Sequence, residues 1–210
     1  MVTSPEIRDR TDTTPAATRL RLPAAERRAL VERAAARLFA ERGYELTTVA
    51  EIAAAAGVSK PMLYRHFESK KELMMKLLER RRDELAAAPL GRFLEAEGST
   101  AQRLEAMIDA WFLHVEEHPD TSRLLFQDVT GDAEIRELQH ELRRRQRAAD
   151  VAMLREFGPP LPEAELEPLG EVIRSSLTGL ALWWLDNPAV PRASVVAAML
   201  RMLHGMLALA

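Results

Sequence analysis

Beyond residue 22 the apolar residues recur at the three- and four-residue spacing of helices. Leu30, Val31, Ala34, Ala35, Leu38 and Phe39 form one stripe and predict a helix from Ala24 to about Arg42, stopped by Gly43. Tyr44 is expected to pack back against its end. Val49, Ile52, Ala53 and Ala56 then mark a short second helix. Thr48 and Glu51 open it as a capping box, and Gly57 closes it where a left-handed residue is needed. Val58 turns inward, and Ser59 caps a third helix with Pro61 in its first turn and Leu63 and Phe67 on its buried side. Ser69 and Glu72 read as another capping box. They open a helix from near Lys70 to about Ala88, where Pro89 is expected to end it. Leu73, Leu77 and Leu78 point inward, and Arg80, Arg81 and Arg82 read as a solvated face at the far end.

After a loop around Pro89–Gly98, Leu104, Met107, Ile108, Trp111, Phe112 and Val115 mark a helix from about Thr100 to Pro119. A short helix from Thr121 to about Asp128 follows, carrying Leu124, Leu125 and Phe126. A long one from about Asp132 to Phe157 has Ile135, Leu138, Leu142, Met153 and Leu154 as candidate core. Its Arg143, Arg144, Arg145 and Arg147 read as a helix surface balanced by acidic neighbours, with a second DNA patch as the alternative. The loop Gly158–Pro168 leads into two apolar helices, about 163–186 and 192–209. The last is apolar around most of its circumference, yet Arg201 and His204 in its middle argue against a membrane span. A helix buried in its own subunit on one side and in a copy on the other explains it better. Ser175, Ser176, Thr178 and Gly179 allow close approach, so the two last helices are expected to form a homodimer through a four-helix bundle.

The expected fold class is therefore all-α: a three-helix helix-turn-helix head, 23–69, followed by a helical ligand-binding and dimerisation body, 70–210. Residues 1–22, rich in Thr, Pro and Arg, read as a disordered extension. Arg8, Arg10, Arg19 and Arg21 leave open an arm that follows DNA. Charged residues stand where a secretory leader needs an apolar run, so the protein is expected to be cytoplasmic. With no cysteine, there is no disulfide framework.

The net charge of -3 hides an asymmetry. Residues 1–82 hold 17 Lys+Arg against 11 Asp+Glu, net +6, and residues 83–210 hold 12 against 21, net -9. A basic head on an acidic body suits DNA at one end and repulsion elsewhere. In a helix-turn-helix the second helix enters the major groove N-terminus first. Lys60, Pro61 and Met62 are the candidates for base edges, and Tyr64, His66 and Lys70 for phosphates. Thr47, Thr48 and Ser59 complete the candidate DNA-binding set.

At these residues the chain resembles the tetracycline-repressor (TetR) family of bacterial transcription regulators. The run ERGYELTTVAEIAAAAGVSKPMLYRHFESKKEL, Glu41 to Leu73, carries the family's pattern of Gly-aromatic, Thr-Thr-Val, Ile-Ala, Ala-Gly-Val-Ser, Leu-Tyr, His-Phe and Lys almost without departure. Pro61 stands where a small residue is more usual, so the base preference does not transfer. The resemblance covers the first third to two-fifths of the chain. It implies a dimeric repressor that binds a palindromic operator in double-stranded DNA and is released by a small-molecule effector. A body that binds a protein partner instead is the alternative.

The effector is expected among the helices starting near Thr100, Asp132 and Glu163, with Trp111, His114, Phe126, Met153, Phe157, Arg174 and Trp183 as candidate lining. Such a wall favours an apolar or aromatic molecule. Arg174 is placed to pair with an acidic effector group or with a glutamate. His114 and His118 have the four-residue spacing of metal ligands on one helix face, but no third ligand is indicated, so no metal site and no cofactor are expected. No Gly-rich phosphate loop, cysteine nucleophile or catalytic carboxylate–histidine cluster is evident, so no enzyme is expected.

Overall fold

The computed structural model describes residues 23–127 and 131–207. The N-terminal extension with its four arginines lies outside these residues, as do the ends expected for the sixth and last helices. Among the described residues every regular element is a helix: α1 Ala24–Arg42, α2 Val49–Ala55, α3 Lys60–Tyr64, α4 Lys70–Glu95, α5 Thr100–Glu117, α6 Pro119–Phe126, α7 Ala133–Phe157, α8 Glu163–Leu185 and α9 Arg192–Leu207.

The head is assembled by local signals. Gly43 leaves α1 at φ 81°, and its N–H still donates to Phe39 O at 2.9 Å. Thr48 and Glu51 form the reciprocal capping box of α2. Gly57 takes φ 66°, a left-handed turn that a side chain would strain. Ile52, Leu63, Phe39 and Phe67 are almost wholly buried, and Tyr44 packs its ring 5.5 Å from Phe39. Phe67 lies just beyond α3, its N–H still bonded to Leu63 O. This core does not stop at the head. It runs on through Leu73, Met74, Leu77 and Leu78 of α4 to Leu124 and Leu125 of α6 and Ile135 and Leu142 of α7.

Several expectations change. The helix α4 does not end at Ala88: it passes through Pro89 to Glu95, and Pro89 and Phe93 are buried. Proline removes one helical hydrogen bond, and the burial of this helical end offsets the loss. The real loop is short, and Gly98 takes φ 106° before Ser99 and Gln102 form a capping box on α5. A Cβ on Gly98 would also meet Gln102 Oε1 at 2.2 Å, displacing the side chain that completes the cap. The start of α4 is also not a closed capping box. Ser69 accepts from Glu72 N–H, but the Glu72 carboxylate takes the N–H of Glu68.

A second core joins α5, α8 and α9 through Ile108, Phe112, Val115, Ala181, Trp184, Val195, Met199 and Leu203. Trp184 is fixed there by a 2.7 Å bond from its indole N–H to Val190 O. The opposite face of this helix pair is uncovered: Val172, Trp183 and Met206 are 48%, 49% and 37% exposed. Among the described residues no helix is long and apolar enough to cross a membrane.

Candidate functional site

The short α3 presents its start outward. Ser59 Oγ accepts from Met62 N–H at 3.3 Å, Leu63 anchors the inner side, and Lys60 and Pro61 are exposed. Tyr64 is 44% exposed, with Lys60 Nζ 5.9 Å from its ring centre. Met62 and His66 are half-buried, and His66 Nε2 is buried without a partner. Thr48 is exposed, and its hydroxyl donates to Glu51 at 2.7 Å. Seven of the nine sequence-derived DNA candidates are thus exposed or half-buried at or near α3 and the start of α2.

Thr47 and Lys70 differ. Thr47 is buried, its hydroxyl donating to Gly43 O at 2.8 Å and Leu38 O at 3.2 Å. Lys70 Nζ donates to Tyr44 O at 2.8 Å and Thr47 O at 3.1 Å, and sits 4.2 Å from the Tyr44 ring centre. The turn after α1 leaves carbonyls without helical partners, and these two side chains satisfy them. They tie the start of α4 and the residue before the cap of α2 to the turn after α1, and their polar side-chain atoms are taken up there.

The body encloses a cavity of about 260 Å³, near the lower end of the range for small-molecule sites. Trp111, Phe126, Met153, Phe157 and Arg174 line it as expected from the sequence, and His114 and Trp183 do not. His114 faces a separate groove, and Trp183 stands on the uncovered face of α8. Thr178, expected at a dimer contact, lines the cavity instead. The walls are aromatic and aliphatic. Trp111 stacks on Phe126 at 5.6 Å, and Phe93 meets Phe157 edge-on at 4.9 Å under the Arg103 guanidinium.

One part of the wall is charged. Arg174 Nε pairs with Asp150 at 3.2 Å and its other nitrogen with Glu171, while Gln146 donates to Asp150 at 2.8 Å. Burial pushes the Asp150 carboxyl up from its usual range, against the pull of Arg174. Arg82 is the cation left over. Its Nε is buried with no hydrogen-bond partner, and burial, with Arg174 nearby, pushes its guanidinium down from the usual value. Of the run expected as a solvated face, Arg80 is exposed, whereas Arg81 and Arg82 are half-buried. The run Arg143 to Arg147 is an ion-paired surface: Arg144 meets Glu137 and Glu141, Arg145 meets Glu141, and Arg147 meets Glu171.

The ion pairs that fasten head to body were not evident in the sequence. Glu32 of α1 is fully buried, accepting from Arg28 Nε and Arg80 Nη1, both at 2.8 Å. Nothing local distinguishes Glu32 from the exposed glutamates around it. Lys71 at the start of α4 pairs with Asp132 and Glu134 at the start of α7, and α1 packs on both α4 and α6.

A helix-turn-helix head held on a cavity-bearing helical body defines a transcription regulator. Residues 33–77 match the bacterial regulatory proteins of the tetR family, and residues 99–207 match the tetracyclin repressor-like C-terminal domain. The chain belongs to the TetR family of DNA-binding transcriptional regulators, which are not enzymes. It is 41% identical over 108 residues to the HTH-type transcriptional activator FasR of Mycolicibacterium smegmatis, covering 51% of this chain and 49% of that protein. It is 42% identical over 92 residues to the HTH-type transcriptional repressor KstR2 of Mycobacterium tuberculosis, covering 42% and 44%. The chain's matches thus span about half the length of these relatives. A crystal structure of a tetR-family regulator from Streptomyces coelicolor shares 28% identity with a TM-score of 0.66, over 89% of this chain and 82% of that one.

Proposed function

We propose that the protein is a homodimeric repressor that binds a palindromic operator and releases it when an amphipathic molecule enters the body. The observation that carries this is the cavity, because its wall is also the head's support. Leu85, Pro89 and Phe93 of α4 line it, and the same helix begins at Lys70, which is tied to the turn between α1 and α2. An effector that binds better to a body with a different α4 angle shifts the population away from the DNA-competent state, by no more than its differential affinity. The lining supports an effector with an apolar or aromatic bulk and an anionic group for Arg82.

Dimerisation through α8 and α9 is supported by the uncovered Val172, Trp183 and Met206. Two reading helices roughly 34–36 Å apart enter successive major grooves. Lys60, Pro61 and Met62 then meet base edges, with Tyr64 and His66 at phosphates. The sign of regulation is inferred from release on effector binding, the simplest route to derepression.

The test has two stages. Genomic fragments are retained on the protein at moderate salt and sequenced, and the recovered site is placed upstream of a reporter. Aliphatic and aromatic carboxylates are then added beside their methyl esters. The expected result is a palindrome with half-sites one turn apart, silenced by the protein and released by carboxylates better than by esters. Retention of every sequence alike, vanishing as salt rises, would mean backbone attraction only and would end the proposal. A specific site that no small molecule releases would point to a protein partner for the body.

A further inference from the structure

A second depression lies between α4 and α5 and shares no residue with the effector cavity. Ala87, Ala88 and Gly91 keep its α4 wall low, and Glu84, His114 and His118 stand in it. The two histidines are four residues apart, so they leave α5 on one side, and their ring centres are 4.7 Å apart. Glu84 crosses from α4. One donor atom from each of the three residues lies within 4.8 Å of the others. The carboxylate is the third ligand that the sequence did not reveal, because it is thirty positions away on another helix.

Two imidazoles from one helical turn and a carboxylate from its neighbour are the donor set of a borderline divalent ion, with a fourth position open to water. We propose that Glu84, His114 and His118 bind one Zn²⁺-class ion per chain, and that its occupancy is felt by the head through Arg80. Bonds of about 2.0–2.2 Å in a tetrahedron put donors about 3.3–3.6 Å apart, so the three groups must close by at most about 1.5 Å. Rotation of Glu84 supplies part of this. His118 supplies more, since it is the C-cap of α5 at φ -134° and ψ 55°, outside regular helix.

The same carboxylate now holds Arg80 and Arg81, at 2.9 and 2.5 Å. Drawing it onto an ion takes it from both. Arg80 keeps Glu32 in α1, so the ion re-tensions the bridge between body and head. Arg81, 11% exposed, is the opposing term, a cation left beside a dication. Glu95 and Glu117 are the other carboxylates that line the same groove.

The test uses tag-free full-length protein. Co²⁺ is titrated with visible absorption as the readout, and Zn²⁺ by calorimetry, after the metal-free variants are shown to unfold at wild-type temperatures. One ion per chain is expected. His114→Ala and Glu84→Gln should weaken binding by more than the roughly 10–100-fold that losing an outer-shell partner costs, while His140→Ala, on α7, leaves it unchanged. Wild-type binding no tighter than that of the His114→Ala/His118→Ala double variant overturns the site. If that variant fails to fold, His118→Gln takes its place under the same criterion. Operator affinity is then measured with and without Zn²⁺. A shift in the wild type that Arg80→Ala abolishes supports the link, and binding of the ion with no shift overturns the link alone.

Discussion

Replacing Arg82 with leucine should make the protein more stable and less responsive, an opposition that follows from its surroundings. Arg82 Nε is buried without a partner, and an unmade buried hydrogen bond costs about 1–3 kcal/mol. Leucine keeps apolar bulk beside Leu85 and Leu177 and removes that donor. Asp150 is not orphaned by the change, since Arg174 and Gln146 both remain on it. The thermal midpoint should therefore rise by roughly 2–4 °C for each kcal/mol recovered. The anionic effector loses a charge-assisted bond of about 1.5–3 kcal/mol, or about 10–150-fold in affinity. Thermal shift with and without carboxylate gives both quantities in one experiment, and operator displacement gives the second independently. A midpoint that falls, beside an unchanged carboxylate response, would show that Arg82 is a structural cation and that the charged wall does not read the ligand.

Trp183→Arg puts a cation on the uncovered face of α8, so the proposed dimer should become a monomer in light scattering and lose operator binding. Thr48→Ala removes the capping oxygen of α2 and should cost about 1 kcal/mol, seen as a lower midpoint in thermal unfolding. Lys60→Ala should relax base preference at a cost of about 1–3 kcal/mol, whereas Tyr64→Phe should weaken all sequences alike; equal operator affinity in both would misplace the reading surface. Acid should weaken the head. The Thr48 backbone bond holds the Glu51 carboxyl below its ordinary 4.5, and Lys76 with the Glu68 N–H does the same for Glu72. A lowered folded value means stability that is present above the ordinary carboxylate pKa and lost as pH falls through the folded one. Glu51→Gln should flatten the midpoint's decline over that acid range.

Head features were readable because their causes are local. Thr48, Ser59 and Gly57 act within four residues of themselves, and a cap looks the same in a sequence as in a fold. Thr47 and Lys70 misled for the complementary reason. A polar residue at the edge of a reading motif suggests solvent, while the carbonyls that claim these two belong to a turn as far as 26 positions away. Pro89 obeyed tertiary packing over its local rule. Trp183 and Trp184 show the limit of periodicity: they point about 100° apart on a helix apolar nearly all round, and only the packing of other elements, Phe112 of α5 and Val190 among them, decides which is buried. Arg82 looked like one of three equal charges, and it is the position of α7 and α8 that makes it the unpaired one.

The proline inside α4 has a mechanical meaning. Nineteen residues separate Lys70 from Pro89, a rigid arm about 28 Å long at 1.5 Å per residue. The remaining stretch, Pro89 to Glu95, is a short arm about 9 Å long pressed against the cavity. The missing hydrogen bond makes their junction the softest point of the rod, a fulcrum rather than a break. Turning the long arm by only about 5° would carry its far tip about 2.5 Å. In the proposed dimer, the same motion mirrored in a second subunit would open or close the gap between reading helices by up to about 5 Å. Against a groove-to-groove span of roughly 34–36 Å, a lever of this ratio turns a displacement smaller than one atom into a misfit on DNA.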